Sequence, residues 1–332
     1  MTVLRIIGLT LLTPFVVLYC AWAAATLWID GPLARGLAGA LVAALALGYL
    51  AAALIVNGWG RKLLVVALLA AAVNVWWLRI PPSNDRDWLP DVARPARATF
   101  EGSRVTVENV RNFEYRTSDT DFVPHWETRT YDLDKLRGVD LFISFWGPTL
   151  YAHTVMSWEF EDSPPLAISI ETRKEKGESY SAVLGFFRQY ELYYVVADER
   201  DVIGVRDNHR GERTYLYRLR APVENARGLL VDYLAEVNEL ADRPKWYNAL
   251  TNNCTTTIRN RVIHAGGHVP IDWRLLANGY LDELMYERGS FGQSLPLAEL
   301  RAKSEVTERA KAAGTSPDFW KQIRVGLPDY PR

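Results

Sequence analysis

Apolar positions run without a polar face through three long stretches at the start of the chain, Ile6 to Trp28, Leu37 to Val56 and Leu63 to Ile80. The first is interrupted only by threonines and one proline, the second only by Tyr49, and the third by Asn74 and Arg79. A helix needs about 20 apolar residues to cross the hydrocarbon core of a bilayer. The pattern predicts three transmembrane helices, over about 6–28, 37–56 and 63–80. Trp76 and Trp77 beside Arg79 read as an interfacial belt at the outer end of the third. Small residues Ala23 to Ala25 leave open a signal peptide in place of the first span, and two spans would still remain.

Beyond residue 80 the period shortens. Pro81 to Pro95 is rich in Pro, Asp and Arg and reads as a linker. Strands are predicted over Ser103 to Val110, Arg111 to Tyr115, Trp126 to Leu133, Leu141 to Trp146, Tyr151 to Phe160, Leu166 to Thr172 and Thr214 to Leu219. Tyr190 to Ala197 fits either a strand or a buried aromatic helix turn. In the segment YAHTVMSWEF, His153, Val155, Ser157 and Glu159 share one face. Pairing Phe160 with Leu166 sets His153 opposite Arg173, with Ser169 and Glu171 on the same face and Glu171 a diagonal neighbour. A one-residue slip would undo this arrangement.

Helices are predicted over Tyr180 to Arg188, Pro222 to about Leu240, Trp273 to Tyr286, and Pro296 to Ala313. A further one runs from Cys254 to His264, stopped by Gly266 and Gly267. The charge run Arg173 to Glu178 reads as a solvated turn, and the tail from Pro317 as irregular.

Charge adds an orientation. The first eighty residues hold five basic residues and one acidic, out of 38 and 39 in the 332-residue chain, so the body is mildly acidic. A nucleic-acid footprint would be basic and clustered, and is not expected here. Arg5 precedes the first span and Arg61 with Lys62 joins the second to the third. Cytoplasmic loops carry the excess of Lys and Arg, which puts the N-terminus inside and the body outside, with Arg35 alone opposing.

The two cysteines, Cys20 in the first apolar run and Cys254 in the body, are too differently placed to pair, and no cysteine cluster suggests zinc. Cys254 follows Asn252 and Asn253 in the stretch WYNALTNNCTTTI. Either asparagine suits an N-cap, which places the thiol in the first turn of a helix. Unpaired N–H groups there favour a thiolate, and with an asparagine side chain they offer an oxyanion site. A buried, inert cysteine is the plain alternative.

Five histidines compete as its base. His125, His209 and His268 lie in loop-like stretches, and His264 sits ten residues along the same helix, about 280° round it. His153 remains, on a strand whose neighbour offers Glu171 as orienter. A helix-start cysteine, a strand histidine and a polar third residue form a papain-like constellation. The histidine precedes the cysteine, as in circularly permuted members of that superfamily.

The segments ETRKEKGESYS, FFRQYELYYVVADERDVIGVR, NHRGERTYLYRL and WYNALTNNCTTTIR, spread between Asp140 and Pro270, together resemble the bacterial Lnb-type periplasmic domain. The resemblance implies a Cys-His thiol enzyme of lipoprotein N-acylation, with Cys254 and His153 in those roles. It implies a phospholipid acyl donor, a lipoprotein acceptor, and no metal or organic cofactor. A cell-wall cysteine peptidase or amidase, and a membrane-tethered binding module, are the alternatives.

The expected organisation is an anchor over 1–80, a linker over 81–98, an Lnb-type catalytic domain over 99–290 and a helical extension over 291–332. The expected fold class is α+β: a three-helix transmembrane anchor followed by a permuted papain-like, NlpC/P60-like domain with an antiparallel sheet and C-terminal helices. The expected place is the bacterial inner membrane, multi-pass, with a periplasmic C-terminal domain.

Overall fold

A computed structural model describes residues 3–31, 35–264, 269–291 and 295–328. The chain divides into a small unit, residues 1–83 with 181–190, and a large one, residues 84–180 with 191–332.

The small unit holds α1 (Val3–Ile29), α2 (Arg35–Leu54) and α3 (Trp59–Leu78). Two of them, not three, are long and apolar enough to cross a membrane among the described residues, over Arg35–Ala52 and Trp59–Leu78. In α1 the corresponding apolar run is the shorter Val16–Ile29, downstream of Pro14. At 1.5 Å per residue such a run spans roughly 20 Å, short of the roughly 30 Å core. Asn74, the polar break in the third run, donates to its own helix at Ala70 O (2.9 Å) and to the Tyr19 hydroxyl of α1. Its polar group is thereby satisfied inside an apolar bundle.

The large unit is mixed α+β. Its strands are β1 (Arg97–Glu101), β2 (Arg104–Arg111), β3 (Glu114–Tyr115), β4 (Phe122–Val123), β5 (Trp126–Asp132), β6 (Leu136–Phe145), β7 (His153–Phe160), β8 (Leu166–Arg173), β9 (Glu191–Ala197) and β10 (Arg213–Arg218). An eight-stranded sheet runs β1-β2-β9-β8-β7-β6-β10, with β5 also on β2, and β3 and β4 form a separate pair. Neighbours are antiparallel except β2 with β9.

Helix α5 (Val223–Asp242) covers the face that carries Trp158, whose indole donates to Ala226 O at 2.9 Å and packs with Tyr194 around Tyr233. Short α4 (Glu199–Val202), α9 (Thr307–Ala313) and α10 (Phe319–Arg324) cover the other face, where Val155, Ala167 and Val195 meet Val306, Phe319 and Ile323. Helix α6 (Cys254–His264) packs beside α5 and approaches β7 and β8.

Several expectations need correction. The β7–β8 register pairs Trp158 with Leu166 and Val155 with Ser169, two residues from the predicted register. A slip of two keeps every side chain on its face, so His153, Ser169 and Glu171 still share one, and Glu171 moves from diagonal to opposite. Tyr180 to Arg188 is not a helix but a loop with one 3-10 turn, Leu184–Phe186, centred on Gly185. Trp273 to Tyr286 breaks at Asn278 into two 3-10 turns and α7 (Leu281–Glu287). Pro296 to Ala313 splits into α8 (Leu297–Ser304) and α9, and the tail expected to be irregular forms α10. Gly266 and Gly267 lie outside the described residues.

Arg173, read as part of a solvated run, is 2% exposed. Its guanidinium donates to Val92 O, Ala93 O and Asn84 Oδ1 and stacks over Trp88 at 4.2 Å. The stretch expected as a linker therefore lies, from Asn84 onwards, against the sheet domain.

Candidate active site

Asn253 is the N-cap of α6. Its Oδ1 accepts from the backbone N–H of Thr255 at 3.0 Å and of Thr256 at 2.8 Å. Its own backbone N–H donates back to Thr256 Oγ1 at 3.1 Å, a capping box with threonine in the usual place of Glu. The Asn253 Nδ2 donates to Ala249 O at 2.7 Å, so this side chain is committed to the cap rather than to an oxyanion. Asn252 closes the preceding turn through its backbone N–H on Asn248 O. Asn253→Ala is expected to cost about 1 kcal/mol of stability. Thermal unfolding checks the cost, and slower alkylation of Cys254 at neutral pH checks that the capped helix start supports its thiolate.

Cys254 is thus the first helical residue, and it is buried. Burial alone would push its thiol up. The hydrogen bond and charge of His153, with smaller help from the hydroxyl and backbone N–H of Thr154, outweigh burial and bring it down to about 6. His153 can reach the sulfur because it is the first residue of β7, at the end of the strand.

The orientation of the imidazole follows from its other partners. His153 Nε2 lies 2.7 Å from Ser169 Oγ, and Ser169 donates to Glu171 Oε1 at 2.7 Å. Glu171 also receives Arg206 Nη2 at 2.8 Å. Burial works to raise the Glu171 carboxyl, but Arg206, and less strongly His153, hold it well below the usual carboxylate range. An ionised carboxylate only accepts, and a serine hydroxyl has a single hydrogen. Ser169 therefore spends its hydrogen on Glu171 and must accept from His153 Nε2–H. In the neutral ring Nδ1 is then the unprotonated nitrogen, the one able to take a proton from the thiol. Glu171 acts on His153 chiefly through Ser169, its carboxylate being 3.7 Å from Nε2.

Arg206 and Asn278 went unseen in the sequence. Asn278 Oδ1 accepts from Ala152 N at 2.8 Å, while its Nδ2 donates to Ala152 O at 2.6 Å and Thr255 Oγ1 at 2.9 Å and stands 3.7 Å from the Cys254 sulfur. It ties the residue before His153 to the residue after Cys254. The available signal was Asn278-Gly279: a Cβ at Gly279 would fall 1.7 Å from Thr149 O, so only glycine lets the two segments approach this closely.

Of the other histidines, His125 pairs with Glu127 at 3.2 Å, His209 packs on the Tyr115 ring, and His264 ends α6. His268 lies outside the described residues. Exposed Trp146 sits 6.4 Å, ring to ring, from His153, and Leu150, Tyr151, Tyr180 and Leu250 are exposed on the neighbouring chain segments.

What the site brings together is a buried thiol at a capped helix start and an imidazole oriented by Ser169 and Glu171, within a mixed α+β domain. Residues 122–279, which include all of these groups, match the family model described as the Lnb N-terminal periplasmic domain. That stretch of the chain is an Lnb-type periplasmic domain, as the four motifs between Asp140 and Pro270 implied. No match was found among curated proteins or among solved structures. A periplasmic domain carried with two helices able to cross a membrane makes this a membrane-associated protein.

Proposed function

We propose that the protein is a membrane-anchored thiol acyltransferase with Cys254 as nucleophile, His153 as base and acid, and Glu171 orienting His153 through Ser169. The observation that carries the proposal is the geometry at the capped start of α6, where Asn278 stands 3.7 Å from the Cys254 sulfur and holds Ala152, the residue before His153. Arg61 and Lys62, in the first turn of the second of the two helices able to cross, support a cytoplasmic link between those helices and a periplasmic catalytic domain. The arrangement of helix-start cysteine, strand histidine and polar orienter favours the permuted papain-like relationship.

In the first half-reaction the Cys254 thiolate attacks the ester carbonyl of a phospholipid. The backbone N–H of Cys254 faces the oxyanion that forms. Collapse breaks the ester C–O bond, and the lysophospholipid alkoxide leaves with the proton of His153. The product is a Cys254 thioester. In the second half the amine of a lipoprotein cysteine attacks the thioester, its proton passes to His153 Nδ1, and the thiolate leaves as the amide forms. Exposed Trp146, 6.4 Å ring to ring from His153, offers an apolar surface beside the site that suits an acyl chain.

The test uses the full chain purified with a phospholipid of defined acyl chains. Intact mass spectrometry should find one acyl group added at Cys254, labile to neutral hydroxylamine, and adding a lipopeptide with a free amine should move that group to the peptide. Release of free fatty acid or cleavage of peptidoglycan without a stable acyl adduct would place the protein among hydrolases instead.

A further inference from the structure

The loop 181–190, SAVLGFFRQY, holds no acidic residue and one cation, Arg188. It leaves Ala182, Val183 and Phe186 exposed, Val183 by 65%. Within the small unit this loop is fastened to the ends of the apolar helices. Asp30, next after α1, accepts from the backbone N–H of Arg188 at 3.0 Å, from Gln189 Nε2 at 2.8 Å and from Trp77 Nε1 at 2.7 Å. Gln189 also donates to Ile29 O at 3.2 Å, and the Arg188 guanidinium lies 4.3 Å over the Trp77 ring.

Trp77 belongs to the last turn of α3, a helix able to cross a membrane. A loop bound to that turn is held at the depth where tryptophans favour the boundary between headgroups and acyl chains. Its one cation is turned back onto Trp77, and its exposed side chains are all apolar. The backbone supports the same conclusion. Gly185 N–H donates to Ser181 O at 3.1 Å, Phe186 N–H to Val183 O at 3.2 Å and Phe187 N–H to Leu184 O at 3.0 Å, and Ser181 N–H donates to the Tyr190 hydroxyl at 3.1 Å. Entry into lipid favours backbone donors that are satisfied inside the segment, and those of Ser181, Gly185, Phe186 and Phe187 are.

We infer that 181–190 is a membrane-embedded loop, with Val183 and Phe186 entering the leaflet at which α3 ends. Its occupant is the bilayer itself. The inference rests on the membrane-crossing reading of α3 and is independent of the thiol chemistry.

The test places the photoreactive residue p-benzoyl-phenylalanine in the full chain, in nanodiscs of phosphatidylethanolamine and phosphatidylglycerol. The positions are Phe186, exposed Leu68 in the middle of α3, and exposed Glu101 in β1. After irradiation, Phe186→p-benzoyl-phenylalanine and the Leu68 variant are expected to gain the mass of one phospholipid, and the Glu101 variant to gain none. Adducts at Leu68 with none at Phe186 above the Glu101 level overturn the loop inference alone. Absence of adducts at both overturns the membrane reading and the loop with it. A link from Phe186 to a second copy of the chain assigns the patch to self-association and overturns the inference as well. None of these outcomes bears on whether Cys254 forms a thioester.

Discussion

Cys254→Ala is expected to lower acyl transfer by roughly 10⁴-fold or more, because removing a nucleophile leaves only binding and oxyanion stabilisation. The same loss in cells separates catalysis from a tethering role, since a binding module would keep its function without the sulfur. The pH dependence carries the sharper form of this prediction. With the thiol brought down to about 6, the fraction present as thiolate rises through pH 6 and is nearly complete by neutral pH. Alkylation of Cys254 by iodoacetamide should follow that curve and level off above it. In His153→Ala the hydrogen bond and charge that offset burial are gone, so the curve should move above the ordinary thiol value of about 8.5. An unmoved curve would falsify the role given to His153.

The parts of this site legible in the sequence were those fixed by short periods. The two-residue repeat of β7 and β8 put His153, Ser169 and Glu171 on one face, and because parity survives a shift of two, the register error did not scatter them. Asn253 was readable as a cap because caps are local. What stayed hidden depended on distant chain. Asn278 reaches Cys254 from a 3-10 turn that has no periodicity, and only the folded chain brings it to Ala152 and Thr255. The relay role of Ser169 needed the Arg206 contact, which fixes Glu171 as an acceptor and so fixes the direction of each hydrogen bond. Tyr180 to Arg188 misled for a different reason. Its apolar residues serve no single helical face, and Gly185 at the centre favours a turn. α10 is six residues long, too short for a helical pattern to emerge, so its contribution rests on one side chain rather than on a repeat.

Beside the buried Phe319 and Ile323, that side chain is Arg324, and Arg324→Ala is expected to be strongly destabilising. Its Nη1 and Nη2 reach the two oxygens of Glu199 at 2.6 Å each, and Nη2 also reaches Asp140 Oδ2 at 2.7 Å. Both carboxylates are fully buried. Asp140 keeps Arg218 at 2.8 Å, and Glu199 keeps the Ser157 hydroxyl at 2.5 Å, so Glu199 is the group left with no cation. Breaking a buried pair by removing one partner costs about 3–5 kcal/mol. For a domain of this size that is a fall in Tm of roughly 10 °C. Arg324→Lys, which keeps the charge but not the fork, should fall between the two proteins.

Burial already raises the Glu199 carboxyl despite Arg324, and removing the guanidinium raises it further. A carboxyl raised in the folded state binds a proton more readily there than in the unfolded chain, so stability declines as pH rises through that window. The Tm deficit of Arg324→Ala relative to the unmodified protein should therefore be largest near pH 8 and shrink as pH falls and Glu199 is neutralised. A deficit constant across that range would mean that the loss is one of packing around α10 and not of the ion pair. The family match ends at residue 279, yet this contact comes from residue 324 to Asp140 on β6, within the sheet. The C-terminal helices therefore belong to the folding of the site-bearing domain, and truncating them should cost the thiol its setting along with its stability.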